Sequence, residues 1–221
     1  IHIGFGAGQV TDDTILTIVT ARALLEAHGK IEGARMARYL GTWARENPDV
    51  WVGKKVFGPT TQAMFRRFMD GKEEWKAETH RWFTESGSSN GSVMRIAPAG
   101  LIHPGQPETA AELAYEVTAP THGTQVAISA AAAQAAGVAA ALAENAEVLS
   151  VVDAALKGAE IGEKLGRAKA RVIAAPSIVR RIEVAVEQAI KASDPFDAGL
   201  RIQSYFGSHL PAAEAMPMGI G

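Results

Sequence analysis

Apolar residues recur mostly at the three- and four-residue spacing of amphipathic helices, and the strict alternation that a half-buried strand needs is hard to find. The pattern therefore predicts an all-α protein. The first helix follows Thr11 and should be mostly buried, ending at His28-Gly29. Its predicted inward stripe, which Leu16 and Leu24 widen, consists of Ile15, Ile18, Val19 and Leu25.

The same spacing predicts further helices, which prolines separate. Their ranges are 33–45, 60–69, 108–117, 121–143, 148–167 and 178–192. The segment 121–143 carries alanine at most positions, and small side chains let neighbouring backbones approach closely. We expect this segment to be the central helix. It is too poor in leucine and isoleucine to be interpreted as a membrane span.

Composition narrows the class of protein. A chain of 221 residues can bury one core, so we predict a single domain. The 22 basic and 24 acidic residues are nearly balanced, which indicates neither nucleic acid nor a membrane surface as a partner. Without cysteine there can be no disulfide, thiolate metal site or cysteine nucleophile, so any metal ligand must be oxygen or imidazole. The start at Ile1 has no signal-peptide pattern, and we predict a cytoplasmic protein.

Two carboxylates and two hydroxyls come together in Thr11-Asp12-Asp13-Thr14, where an apolar helix begins. Hard divalent cations such as Mg²⁺ prefer oxygen clusters of this kind. The alternative is that Thr11 caps the helix and that both aspartates favour the positive end of its dipole. Because Mg²⁺ takes about six oxygens, this run can supply only part of a metal site.

The stretch Gly87 to Ser92 offers backbone N–H groups without bulky side chains. Asn90 and Gly91 readily take the left-handed conformation in which consecutive amides form a phosphate-binding nest, although a flexible surface loop is the alternative. The return to apolar residues around Arg95, which could serve as a salt-bridge former, argues against a linker. His122 follows Pro120 at the predicted start of the alanine-rich helix. It could line a pocket as a neutral imidazole or be a satisfied structural histidine.

Three segments in this order resemble the ADP-ribosylglycohydrolase family, and the similarity continues to the C-terminal Pro211-Ala212-Ala213-Glu214-Ala215-Met216-Pro217. The segments are Gly8-Gln9-Val10-Thr11-Asp12-Asp13-Thr14, Ser89-Asn90-Gly91-Ser92-Val93-Met94-Arg95-Ile96-Ala97-Pro98 and Thr121-His122. The resemblance implies a compact, orthogonally packed multi-helix domain with two Mg²⁺ ions, or Mn²⁺ in their place. It also implies hydrolysis of a glycosidic bond at the ribose of an ADP-ribosylated protein or small ADP-ribose conjugate.

The resemblance also implies roles for individual residues. Thr11, Asp12 and Asp13 match metal ligands, and Asp12 and Asp13 are the catalytic candidates. The residues that match the ADP-ribose site are Gly87, Ser88, Ser89, Asn90, Gly91, Ser92 and His122.

The family pattern includes a further Asp-x-Asp-Thr motif, which is expected in a helix beyond Gly221, and an acidic first helix, which is expected before Ile1. We therefore expect a single domain over 1–221 that lacks both helices, either as a fragment or as a shortened, inactive relative. Two other functions stay open: a nucleoside or ribosyl hydrolase on the same scaffold, and a non-catalytic ADP-ribose-binding module. The modified side chain and the oligomeric state also stay open.

Overall fold

The computed structural model describes residues 8–52, 56–72 and 87–221. Over these ranges the chain forms eleven α-helices, one short 3₁₀ helix at Asn90–Ser92 and no strand beyond two isolated bridges. The all-α prediction is confirmed. The helices are α1 (Asp12–Glu26), α2 (Gly33–Glu46), α3 (Pro48–Trp51), α4 (Pro59–Met69), α5 (Ala97–Leu101), α6 (Pro107–Thr118), α7 (Gln125–Ala141), α8 (Val148–Lys169), α9 (Ile178–Ile190), α10 (Pro195–Phe206) and α11 (Ala212–Ile220).

Helix α7 is the centre of the fold, as its alanine content predicts. It is buried along nearly its whole length and packs against α5, α6, α8 and α11. Helix α8 approaches it most closely, because Gly158, Gly162 and Gly166 of α8 face α7. A Cβ atom on Gly162 would lie 2.6 Å from the Cβ atom of Ala132, so only glycine fits there without moving a helix. In the part of the chain described, no helix is both long and apolar enough to cross a membrane.

The predicted start of the alanine-rich helix at Thr121 is wrong by four residues. Helix α7 begins at Gln125, and its N-cap is Thr124, whose hydroxyl accepts a hydrogen bond from the Ala127 N–H at 3.4 Å. Thr121 and His122 lie in the turn between α6 and α7, where both backbone N–H groups donate to the Thr118 carbonyl. That turn occupies their amides and keeps them outside the helix.

The predicted inward stripe of α1 is only partly correct. Leu16, Val19 and Leu24 are buried, whereas Ile18 is 47% and Leu25 is 68% exposed. At 100° per residue, positions 18 and 25 lie on the side of the helix opposite Leu16. The predicted stop is correct, since α1 ends at Glu26 and His28 and Gly29 both take positive φ angles.

Candidate active site

The N-terminus of α1 carries Thr11, Asp12 and Asp13 on consecutive positions. Thr11 occupies the N-cap, but its side chain makes no capping hydrogen bond; its hydroxyl donates instead to Asp13 Oδ2 at 2.8 Å. Asp12 is half-buried and Asp13 is exposed. The hydroxyl and the two carboxylates therefore form one oxygen cluster, and Thr11 does not act as a side-chain cap.

The position of Asp12 disfavours its charged form. Burial, and then the negative charge of Asp13, raise the pKa of Asp12, while hydrogen bonds from backbone N–H groups, including that of Gly58, act in the opposite direction. A bound cation would remove this cost, and an oxygen-only donor set suits Mg²⁺. The described residues contain no group of three or more histidine or acidic side chains able to hold a metal. Thr11, Asp12 and Asp13 thus fit one part of a magnesium site.

The Thr17 hydroxyl connects the main chain of α1 with the segment that follows the predicted ligand loop. Thr17 Oγ1 donates to the Asp13 carbonyl oxygen at 2.6 Å and lies 3.3 Å from the Met94 carbonyl oxygen. Met94 lies two residues after Ser92, the last residue of the predicted ligand loop. Thr17 therefore connects the main chain of α1 at Asp13 with the segment after the loop, and among the described residues no hydrogen bond joins the Asp12 or Asp13 carboxylate to the loop.

The loop Gly87 to Ser92 is held by backbone and side-chain hydrogen bonds. Thr124 Oγ1 donates to the Gly87 carbonyl oxygen at 2.8 Å. Leu210 and Ala212, at the start of α11, make two backbone contacts with the loop. The Asn90 N–H donates to the Leu210 carbonyl oxygen at 2.7 Å, and the Ala212 N–H donates to the Ser88 carbonyl oxygen at 2.9 Å. These contacts favour an ordered ligand-binding loop over a flexible surface loop.

The predicted conformation of Asn90 and Gly91 is wrong. Both lie in the 3₁₀ helix, and the left-handed position of the loop is Gly87, with φ 80°. The backbone N–H of Asn90 also donates to the Leu210 carbonyl oxygen, so it is not available to a phosphate-binding nest. Gly91 is required for a different reason: a Cβ atom there would lie 2.8 Å from Cε1 and Nε2 of His122.

Behind the loop runs a buried row of polar side chains. Arg95 Nη2 donates to Thr121 Oγ1 at 2.5 Å and to the Val117 carbonyl oxygen at 3.3 Å. Thr121 Oγ1 lies 2.8 Å from His122 Nδ1, and His122 Nε2 lies 2.9 Å from Ser89 Oγ. Arg95 and His122 are each 1% exposed, and burial lowers the pKa of Arg95 to about 10.

The structure therefore brings His122 into direct contact with the loop, although its ring is buried and does not line an open pocket. Two supports of the loop, Thr124 and residues 210–212, were not predicted from the sequence. The N-cap preference of threonine was a usable signal for Thr124. No local signal places 210–212 against the loop, because that contact joins positions about 120 residues apart.

The geometry defines a class of protein. It is all-α, its first helix begins with two aspartates, and a loop rich in glycine and serine follows further along the chain. A family model described as ADP-ribosylglycohydrolase matches residues 1–221, the whole chain. The chain therefore belongs to the ADP-ribosylglycohydrolase family. It is also 25% identical over 217 residues to the uncharacterized protein YegU of Escherichia coli (strain K12). That match covers 98% of this chain and 61% of YegU, so the chain spans less than two thirds of the relative's length.

Proposed function

We propose that this chain contributes to a Mg²⁺-dependent glycohydrolase that releases ADP-ribose from an ADP-ribosylated protein or a small ADP-ribose conjugate. The observation that carries the proposal is that Thr17 of α1, the helix that begins with Thr11, Asp12 and Asp13, contacts the Met94 carbonyl oxygen just after the Gly87–Ser92 loop. Family membership supports the glycosidic bond as the target. The cytoplasm stays our prediction for its location.

The metal ligands and the loop have different roles in the proposed reaction. Thr11, Asp12 and Asp13 would hold part of the Mg²⁺ shell, and the bound ion supplies positive charge that stabilises developing negative charge. The Gly87–Ser92 loop orients the ADP-ribosyl group. The carboxylates of Asp12 and Asp13 provide negative charge near a ribose that passes through an oxocarbenium-like state. No nucleophilic protein side chain is required.

A second candidate function is a module that binds ADP-ribose without hydrolysing it. The incomplete ligand set favours this alternative, because Asp12 and Asp13 are not joined by a third acidic or histidine ligand among the described residues. A third, a nucleoside or ribosyl hydrolase, shares the ribose-binding chemistry and differs only in the group attached to the ribose.

The test is a substrate panel with the full-length protein: an ADP-ribosylated protein, a small ADP-ribose conjugate and a nucleoside, each with Mg²⁺ and with EDTA. We expect ADP-ribose release that stops with EDTA and falls by about 100-fold or more in Asp12→Asn and Asp13→Asn. Asp49→Asn, which changes an exposed aspartate in the first turn of α3, is the matched control and should keep full activity.

Release that continues in EDTA would contradict metal dependence. Binding of ADP-ribose without turnover of any substrate would select the binding module, and turnover of the nucleoside alone would select the ribosyl hydrolase.

A further inference from the structure

We propose that Thr124 is a positioning residue whose hydroxyl fixes the first residue of the Gly87–Ser92 loop and thereby sets how tightly the loop holds its ligand. The inference deepens the proposed function and rests on it for the identity of that ligand, an ADP-ribosyl group. The attachment of the loop to the start of α7 follows from the described contacts alone.

The direction of both hydrogen bonds of the Thr124 hydroxyl is fixed by its partners. The Ala127 N–H can only donate, and its nitrogen lies 3.4 Å from Thr124 Oγ1. The Gly87 carbonyl oxygen can only accept, and it lies 2.8 Å from the same Oγ1 atom. Thr124 therefore accepts as the N-cap of α7 and gives its only hydroxyl hydrogen to the loop.

The main chain is held on both sides of Thr124. The Arg171 N–H donates to the Gly123 carbonyl oxygen, and the Gln125 N–H donates to the Arg171 carbonyl oxygen, both at 3.1 Å. The Gln125 side chain adds two hydrogen bonds with the backbone of Ile173, at 2.7 and 2.9 Å. The loop is thus attached to a well-anchored turn, and rigid elements place ligand-binding groups more precisely than free loops do.

The acceptor of this hydrogen bond is the residue at which the loop takes its left-handed conformation. Gly87 has a φ angle of 80° and is buried. Without the Thr124 hydroxyl its carbonyl oxygen would have no hydrogen-bond partner among the described residues, and a buried carbonyl that loses its partner is costly. Because the carbonyl can regain a partner from water only if the loop moves, we expect a change at Thr124 to displace the loop.

The test compares two variants of the full-length protein: Thr124→Val, which removes the hydroxyl, and Thr124→Ser, which keeps it. The affinity for ADP-ribose, measured by calorimetry, should fall by about tenfold in Thr124→Val, and Thr124→Ser should keep most of it. Without ligand, hydrogen exchange of the backbone amides of residues 88–93 should be about tenfold faster in Thr124→Val and close to wild type in Thr124→Ser. Thr124→Ala replaces Thr124→Val if the valine variant does not fold.

Ser177→Ala is the matched control for the loss of a helix cap. Ser177 is the N-cap of α9, and its hydroxyl accepts from the Arg180 N–H at 3.4 Å, the same distance as in the Thr124 cap. Ser177→Ala should lower the midpoint of thermal unfolding by about 2–4 °C, and Thr124→Val by at least as much. Only Thr124→Val should change the affinity and the exchange of the loop amides.

Equal, measurable affinities in wild type and Thr124→Val would overturn the proposal, and so would loop exchange that Thr124→Val leaves unchanged. A loss of affinity that Ser177→Ala reproduces would assign the effect to helix stability and would also overturn it. If loop exchange responds as expected while neither wild type nor any variant binds ADP-ribose, the positioning role stands and the proposed function fails.

Discussion

Replacing Gly162 with alanine tests the close approach of α8 to α7 at the centre of the fold. A Cβ atom at this position would lie 2.6 Å from the Ala132 Cβ atom, 2.8 Å from the Ile128 carbonyl oxygen and 2.9 Å from the Ser129 Cα atom. Two of these three atoms belong to the backbone of α7, so no side-chain rotation relieves the contact. The two helices must separate locally.

The magnitude follows from two opposing effects. Overpacking of a dense core costs about 1–3 kcal/mol, and alanine in place of glycine inside a helix returns up to about 1 kcal/mol. We therefore expect Gly162→Ala to lower the free energy of unfolding by about 1–2 kcal/mol. For a chain of this size that corresponds to a fall of about 3–6 °C in the midpoint of thermal unfolding.

Gly137 on α7 provides the matched control on the same helix pair. Its nearest neighbours to an added Cβ atom are Ala155 Cβ at 3.7 Å and Val151 Cγ1 at 3.8 Å, which are ordinary contacts. Gly137→Ala should therefore raise the free energy of unfolding by about 0.5–1 kcal/mol. Urea denaturation of both variants measures the two changes. A Gly162→Ala protein as stable as wild type would refute the close packing described above.

Two further variants test the loop and the helix start of α10. Gly91→Ala inserts a Cβ atom 2.8 Å from the His122 imidazole, so the affinity for ADP-ribose, measured by calorimetry, should fall by about tenfold or more. The control is Gly199→Ala, whose added Cβ atom would have no atom within 4 Å and should not change the affinity. Equal affinities in the two variants would contradict this role of Gly91. The Ser193 N–H and the Arg201 guanidinium hold the pKa of Asp197 below its usual 3.8, so Asp197 stabilises the fold above that pH and loses its contribution as the pH falls through the folded value. Asp197→Asn should therefore be less stable than wild type at neutral pH and equally stable in strong acid, and a gap that persists in acid would contradict this.

Local sequence signals predict most of the helices. A further local signal, which the helix predictions did not use, marks the start of α10. Asp194 accepts hydrogen bonds from the Phe196 and Asp197 N–H groups, and Pro195 occupies the first helical position. An N-cap aspartate followed by proline is a standard start signal that sequence alone contains.

Helix α11 could not be predicted in the same way, because Pro217 lies inside it. Proline has no N–H to donate to the Ala213 carbonyl oxygen. Arg181 of α9 compensates, since its Nη1 donates to that oxygen at 2.7 Å. The helix thus depends on a tertiary contact that local propensity does not contain.

The candidate site likewise has residues that the sequence predicts and contacts that it does not. Thr11, Asp12, Asp13 and the Gly87–Ser92 loop could be chosen from the sequence because their motifs follow one another along the chain in the order of the family pattern. The contact of Arg95 with Thr121, 26 positions away, depends on how α6 ends against the loop. From the sequence Arg95 could serve as a salt-bridge former, but among the described residues its side chain donates to the Thr121 hydroxyl and the Val117 carbonyl oxygen and to no carboxylate.

Calorimetric titration of ADP-ribose into the full-length protein, with Mg²⁺ and then with EDTA, tests most directly whether the α1 carboxylates and the Gly87–Ser92 loop form one ligand site. We predict saturable binding that Mg²⁺ strengthens, and that Asp12→Asn makes insensitive to Mg²⁺. A folded protein that binds no ADP-ribose under either condition would contradict the proposed site.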